Sequence, residues 1–210
     1  MSFIKRVLVA FSLVAGFLLL MIAIGIVAYL VVGTKRVGGL GIVAIAYSLL
    51  LAKRLSVKMS LGKVSSALLA FALGLSPLLF VEPEAPDLVT ALGIALGALG
   101  EEALFRGLVQ GYLGDDLKAI LVTSLLFSLS HSLGHRDPIY LSNIFLGGLA
   151  LGIMKVLGKG IVAPFAFHLA WNLSSYKDLY RFESSLEGLS SISLSLVLTL
   201  VMFKLSPKET

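Results

Sequence analysis

"LVTALGIALGALGEEALFRGLVQGYLG", residues 88–114, decides how the rest of the chain is read. Its apolar run exceeds the roughly 20 residues that carry a helix across a bilayer core. Yet Glu101, Glu102 and Arg106 sit in its middle, with no other charge on either side. A charge at mid-bilayer costs about 2.5–3.5 kcal/mol on insertion scales. Three together need partners and a purpose.

Helix geometry separates them. At about 100° per residue, Gly93, Gly97, Gly100, Gly107 and Gly111 share one face. Gly93–Gly97 and Gly107–Gly111 are GxxxG pairs, a spacing that lets a second helix approach closely. Glu101 borders this face, about 40° from Gly97. Glu102 points the other way. It lies four residues before Arg106, so the two can form an i, i+4 ion pair, a structural role. Glu101 is left without a local partner, facing the interior, where a carboxylate can serve as a general base.

The composition agrees with lipid as the solvent. Of 210 residues, 58% are apolar and 14% charged, against roughly 25% charged in an average soluble domain. Mean hydropathy is +0.99. There is no cysteine, which excludes disulfides, thiolate metal sites and cysteine nucleophiles. The net charge of +5 does not indicate nucleic acid. The basic residues lie between apolar runs, where juxtamembrane anchors belong. Lys5 and Arg6 precede an uncharged run too long for a signal-peptide core of roughly 7–15 residues.

Eight apolar segments are expected to be helices: 7–33, 37–52, 64–81, 88–113, 117–133, 138–154, 161–176 and 188–203. Lys35-Arg36 and Lys53-Arg54 bracket the second. Pro83 and Pro86 break the chain before the fourth, because each disfavours helix in the residue preceding it. There is no repeat. The expected fold is an all-α polytopic membrane bundle of about eight spans, a single integral-membrane domain over residues 1–210. On this layout the side holding both termini has eleven Lys and Arg, and the opposite side five. Both termini are therefore expected in the cytoplasm of a cell-membrane protein.

Two more spans carry polar residues. Phe127 and His131 are four apart on the fifth, and His135 follows in a loop with Gly134 before it. His168 and Asn172 are i, i+4 on the seventh. Buried Asn has several hydrogen-bonding sites and no inexpensive partner in lipid. Singly, either could be helix–helix glue worth about 0.6–2 kcal/mol. Together, Glu101, His131, His168 and Asn172 are catalytic residue types on three helices. A Glu can take a water's proton, a His can orient the water, and Asn and His N–H groups can hold an oxyanion.

Glu101-Glu102-x-x-x-Arg106, Phe127-x-x-x-His131 and His168-x-x-x-Asn172 resemble, in order, the motifs of the CPBP family. These are the CAAX proteases and bacteriocin-processing enzymes, also called the Abi family, which include the type II CAAX prenyl endopeptidase. The resemblance covers residues 100 to 172; the first 85 residues are similar only in hydropathy. It implies an intramembrane endopeptidase in which Glu101 and His131 activate water, and His168 and Asn172 complete the site and stabilise the oxyanion. Arg106 would hold Glu102. The implied substrate is a peptide or lipid-modified protein, taken from among membrane lipids.

Two questions stay open at this level. Glu101, His131 and His168 could hold zinc, since two His and a carboxylate form a hydrolytic set. No HExxH-type pair supports this, so a metal-free site without cofactor is favoured. A proton- or ion-coupled transporter would also bury Glu, His and Asn, though inverted repeats of the kind transporters often carry are absent.

Overall fold

A computed structural model describes residues 1–32, 40–82 and 84–205. Among these the fold is all-α, with no strand. The helices are α1 (Phe3–Val32), α2 (Leu40–Arg54), α3 (Val64–Gly74) and α4 (Leu88–Leu113). There follow α5 (Leu117–His131), α6 (Pro138–Gly158), α7 (Val162–Ser174), α8 (Leu179–Glu183) and α9 (Leu186–Leu205). Each of the eight apolar segments holds a helix; the five-residue α8 was not expected. Lys35, Arg36, Pro83, the last residue of the first expected span and the first three of the second lie outside the described residues.

By length and composition α1, α4 and α6 can each cross a membrane unaided. A fourth candidate is the bent pair Tyr176–Glu183 and Leu186–Met202, whose axes differ by 93°. The remaining apolar helices are shorter. Large side chains on the outside are apolar: Leu19, Leu68 and Val89 are 67%, 77% and 80% exposed. Such a surface is stable against lipid tails and not against water.

Three helices start on aspartate caps. Asp87 accepts from the Thr90 N–H, Asp116 from Ala119, and Asp137 from Ile139 and Tyr140. Each supplies an acceptor for N–H groups that have no partner within the helix. The Thr90 N–H, and next its hydroxyl, hold the Asp87 carboxyl below the ordinary carboxylate pKa. Gly114, at φ +120°, ends α4 in a conformation that disfavours any side chain.

Helix α2 packs on α4, α3 on α7, α5 on α6, and α9 on α6. Two apolar clusters result. One joins α1, α2, α4, α5 and the first turns of α6 around Leu104, Leu108 and Phe127. The other joins α3, α6, α7, α8 and α9 around Leu151, Phe167 and Trp171. The loop before α3 is strapped to the α6–α7 turn: Ile161 N donates to Ser60 O at 3.0 Å, and Lys63 N to Gly158 O at 2.8 Å. Gly62 makes this possible, with φ +84° and the Gly158 carbonyl where a Cβ would stand.

The expected glycine face is half right. Gly100 packs on α2, where a Cβ would meet Gly41 O at 2.7 Å and the Ala44 methyl at 3.0 Å. Gly107 and Gly111 lie under Met59 and Val57 of the following loop. An added Cβ at Gly93 or Gly97 would find nothing within 4 Å, so neither needs to be glycine for packing; the close approach there is made by Gly41 of α2, where a Cβ would meet the Leu96 and Gly97 backbone. A second departure is local. Residues Ala103–Gln110 are π-helical, wider than the α-helix that a 100° wheel assumes. Helical positions beyond Glu102 therefore rotate away from the wheel's prediction.

Candidate active site

The charged interruption of α4 lies where the π-helical stretch begins, between the two apolar clusters. Glu102 and Arg106 are each 0% exposed, and Arg106 Nη1 donates to Glu102 Oε1 at 3.2 Å. Arg106 Nη2 donates to Gly148 O of α6 at 3.3 Å. The guanidinium also stacks 4.5 Å from the centre of the Phe127 ring. So Phe127 of α5 is a platform for the cation and not only a spacer before His131.

Glu102 does more than the helical wheel allowed. It was expected to face away from the site and serve Arg106 alone. Its Oε1 also lies 2.8 Å from Nδ1 of His168 on α7. The wheel could not show this, because the contact spans 66 residues and depends on how α7 crosses α4. A carboxylate behind a histidine fixes the ring's orientation and leaves Nε2 to work.

That nitrogen faces Glu101. Glu101 Oε2 lies 3.8 Å from His168 Nε2 and 3.9 Å from His131 Nε2. His131 is oriented in the same manner: its Nδ1 is 2.9 Å from the Phe127 carbonyl. A carbonyl oxygen only accepts, so Nδ1 carries the proton and the neutral ring's Nε2 is an acceptor. Glu101 Oε2 is buried and has no hydrogen-bond partner among the described residues. At 3.8–3.9 Å the three atoms are too far apart to bond directly, so a further group belongs between them.

A cavity of about 150 Å³ opens onto this point. Glu101, His131, His168 and Asn172 all line it, so the structure brings the four sequence-predicted residues to one place. Phe127 lines it too, while Glu102 and Arg106 stand behind. His135 is exposed in its loop and stacks on Tyr180 of α8, ring centres 3.9 Å apart.

Among the lining residues that the sequence did not single out are Asn143 of α6 and Glu183 of α8. Asn143 was legible in principle, because the chain has just two Asn and both lie in apolar runs. Glu183, in "RFESS", looks like an ordinary connecting loop.

Zinc takes imidazole and carboxylate donors. Glu101, His131 and His168 have suitable donor chemistry. Yet among the described residues no three His, Cys, Asp or Glu are arranged to hold a metal ion. The chemistry proposed for the site is carried by the protein's own side chains.

No curated protein and no solved structure matches the chain. Residues 83–174 match the family model described as type II CAAX prenyl endopeptidase Rce1-like. The matched segment holds Glu101, Glu102, Arg106, Phe127, His131, His168 and Asn172; Glu183 lies beyond it. With the helical membrane-type fold, this match supports assignment of the chain to the CAAX-protease, CPBP-type family.

Proposed function

We propose that the chain is an intramembrane endopeptidase that hydrolyses a peptide bond with a water activated by Glu101 and His131. The observation that carries this reading is the unpartnered Glu101 Oε2, set between two imidazole Nε2 atoms at the mouth of a cavity. A buried carboxylate oxygen with no partner is unstable by about 1–3 kcal/mol or more. A water between Glu101 Oε2 and His131 Nε2 satisfies two acceptors at once.

Glu101 takes a proton from the water, whose oxygen forms a bond to the scissile carbonyl carbon. The carbonyl oxygen becomes an oxyanion. Asn172 donates to it, and so does His168 through Nε2–H. His168 serves here as the imidazolium, with the Glu102 carboxylate against Nδ1 and Glu101 before Nε2. Donors already in place act strongly in a dry site. The C–N bond then breaks, and Glu101 passes its proton to the leaving amine. Glu102, held by Arg106, keeps the His168 ring in position.

We further propose that the 210 residues act as one domain of a cell-membrane protein with both termini in the cytoplasm. The substrate class that fits this family is a prenylated protein or peptide, entering the site from among the lipids. The reaction proceeds without metal in this reading, with zinc as the alternative. The family match favours a protease over an ion-coupled transporter.

The test uses the purified protein in detergent with a farnesylated CAAX peptide and the same peptide unprenylated. Release of the C-terminal tripeptide, undiminished by chelator and without stoichiometric zinc by metal analysis, is the expected result. No cleavage of either peptide, with ion flux in proteoliposomes, would establish the transporter instead. Loss of cleavage on chelation, restored by zinc, would overturn the metal-free chemistry.

A further inference from the structure

The bend between α8 and α9 brings a second carboxylate to the cavity. Glu183 ends the short helix α8, is 7% exposed, and lines the same cavity as Glu101. It is held at two points. Trp171 Nε1 donates to Glu183 Oε1 at 3.1 Å, and Asn143 Nδ2 donates to the Glu183 carbonyl at 3.2 Å. Gly188 at the start of α9 allows this seat, because a Cβ there would come 2.8 Å from Asn143 Nδ2. Trp171 stands between His168 and Asn172 in α7, so the carboxylate is tied to the helix that carries half of the proposed catalytic set.

Glu183 feels the His168 ring across the cavity, but among the described residues it touches no cation. Among the described residues it has no ion-pair partner, and no donor is bonded to its Oε2. Arg106 is spent on Glu102 behind the wall. No Lys or Arg lines the cavity, which has two carboxylates, Glu101 and Glu183, facing its contents. Its charged and titratable walls are completed by His131, His168 and Tyr140. Burial pushes the Glu183 carboxyl up to about 7, and an incoming positive charge relieves that cost by favouring the ionised form. In a low-dielectric cavity that attraction is larger than at the surface.

We infer that Glu183 is a specificity-determining residue that receives a cationic side chain of the substrate next to the cleaved bond and disfavours an acidic one. This rests on the peptidase reading above and goes beyond it, since nothing in Glu101, His131, His168 or Asn172 requires such a preference.

The experiment compares peptides identical except for one residue flanking the cleaved bond: Lys, norleucine or Glu. For the wild-type protein in detergent, kcat/KM should fall in that order, with Lys about 10–100-fold above Glu. In Glu183→Gln, which keeps the side-chain volume and an acceptor for Trp171, the Lys-to-Glu ratio should fall to within about threefold. Glu183→Asp keeps the charge and should keep the preference. Equal wild-type rates on the Lys and Glu peptides overturn the inference while leaving the peptidase intact. So does an unchanged ratio in Glu183→Gln. A Glu183→Gln protein that melts like wild type but cleaves nothing would also overturn it, marking Glu183 as part of the chemistry. If wild type cleaves none of the three, the peptidase reading fails and this inference goes with it. Should Glu183→Gln not fold, the wild-type series and Glu183→Asp decide.

Discussion

Replacing Arg106 by methionine removes the cation and keeps most of the side chain's apolar volume. Three interactions disappear together. The ion pair to Glu102 spans 3.2 Å between groups that are both 0% exposed. The bond to Gly148 O spans 3.3 Å, and the contact with the Phe127 ring 4.5 Å. The larger consequence is what stays behind: a buried Glu102 carboxylate whose one remaining partner is His168. Breaking a buried pair from one side costs about 3–5 kcal/mol. At about 2–4 °C per kcal/mol for a chain of this size, the midpoint should fall by about 6–20 °C. The double variant Glu102→Gln/Arg106→Met removes the stranded charge. Gln keeps an oxygen for the His168 N–H, so the double variant should recover at least half of the loss. Thermal unfolding in detergent micelles, followed by tryptophan fluorescence of Trp171, reads both. A single variant within about 1 kcal/mol of wild type would refute the reasoning, as would a double variant no more stable than the single.

The two kinds of glycine on α4 should part company. Gly100→Leu must displace the Gly41 backbone and destabilise by about 1–3 kcal/mol or more, whereas Gly97→Ala, facing open space, should stabilise by up to about 1 kcal/mol; unfolding midpoints compare them. Asn172→Ala should lower kcat on the farnesylated peptide by about 10²–10³ with KM little changed, as expected for a donor used mainly in the transition state. Asp137→Ala removes the cap of α6 and should cost about 0.5–2 kcal/mol, read as a lower midpoint with kcat retained.

How far the sequence carried the fold depends on which force was at work. Helix α4 was legible in its extent, close to the expected 88–113, because one apolar run leaves little choice. The Glu102–Arg106 contact was legible because it is local, four residues along one helix. The contact of Glu102 with His168 was not, since it exists only once α7 crosses α4. Gly93 and Gly97 misled for the same reason: GxxxG spacing permits a helix contact but cannot say on which face the neighbouring helix lies. The π-helical turn at Ala103–Gln110 compounds this by rotating everything after it. Helix α8 was hidden by its five residues, too few for any periodicity, and with it went Glu183. His131, His168 and Asn172 stood out because polar groups are conspicuous in apolar runs; their meeting at one cavity needed the structure.

Glu101 is the centre of the proposed chemistry, and the most direct measurement is peptide hydrolysis by Glu101→Gln beside wild type, both purified in the same detergent. Gln matches the carboxylate in size but cannot take the water's proton. The variant should lose at least about 10²-fold in kcat/KM, while its unfolding midpoint stays within a few degrees of wild type. Cleavage by Glu101→Gln at the wild-type rate would contradict its role as the base.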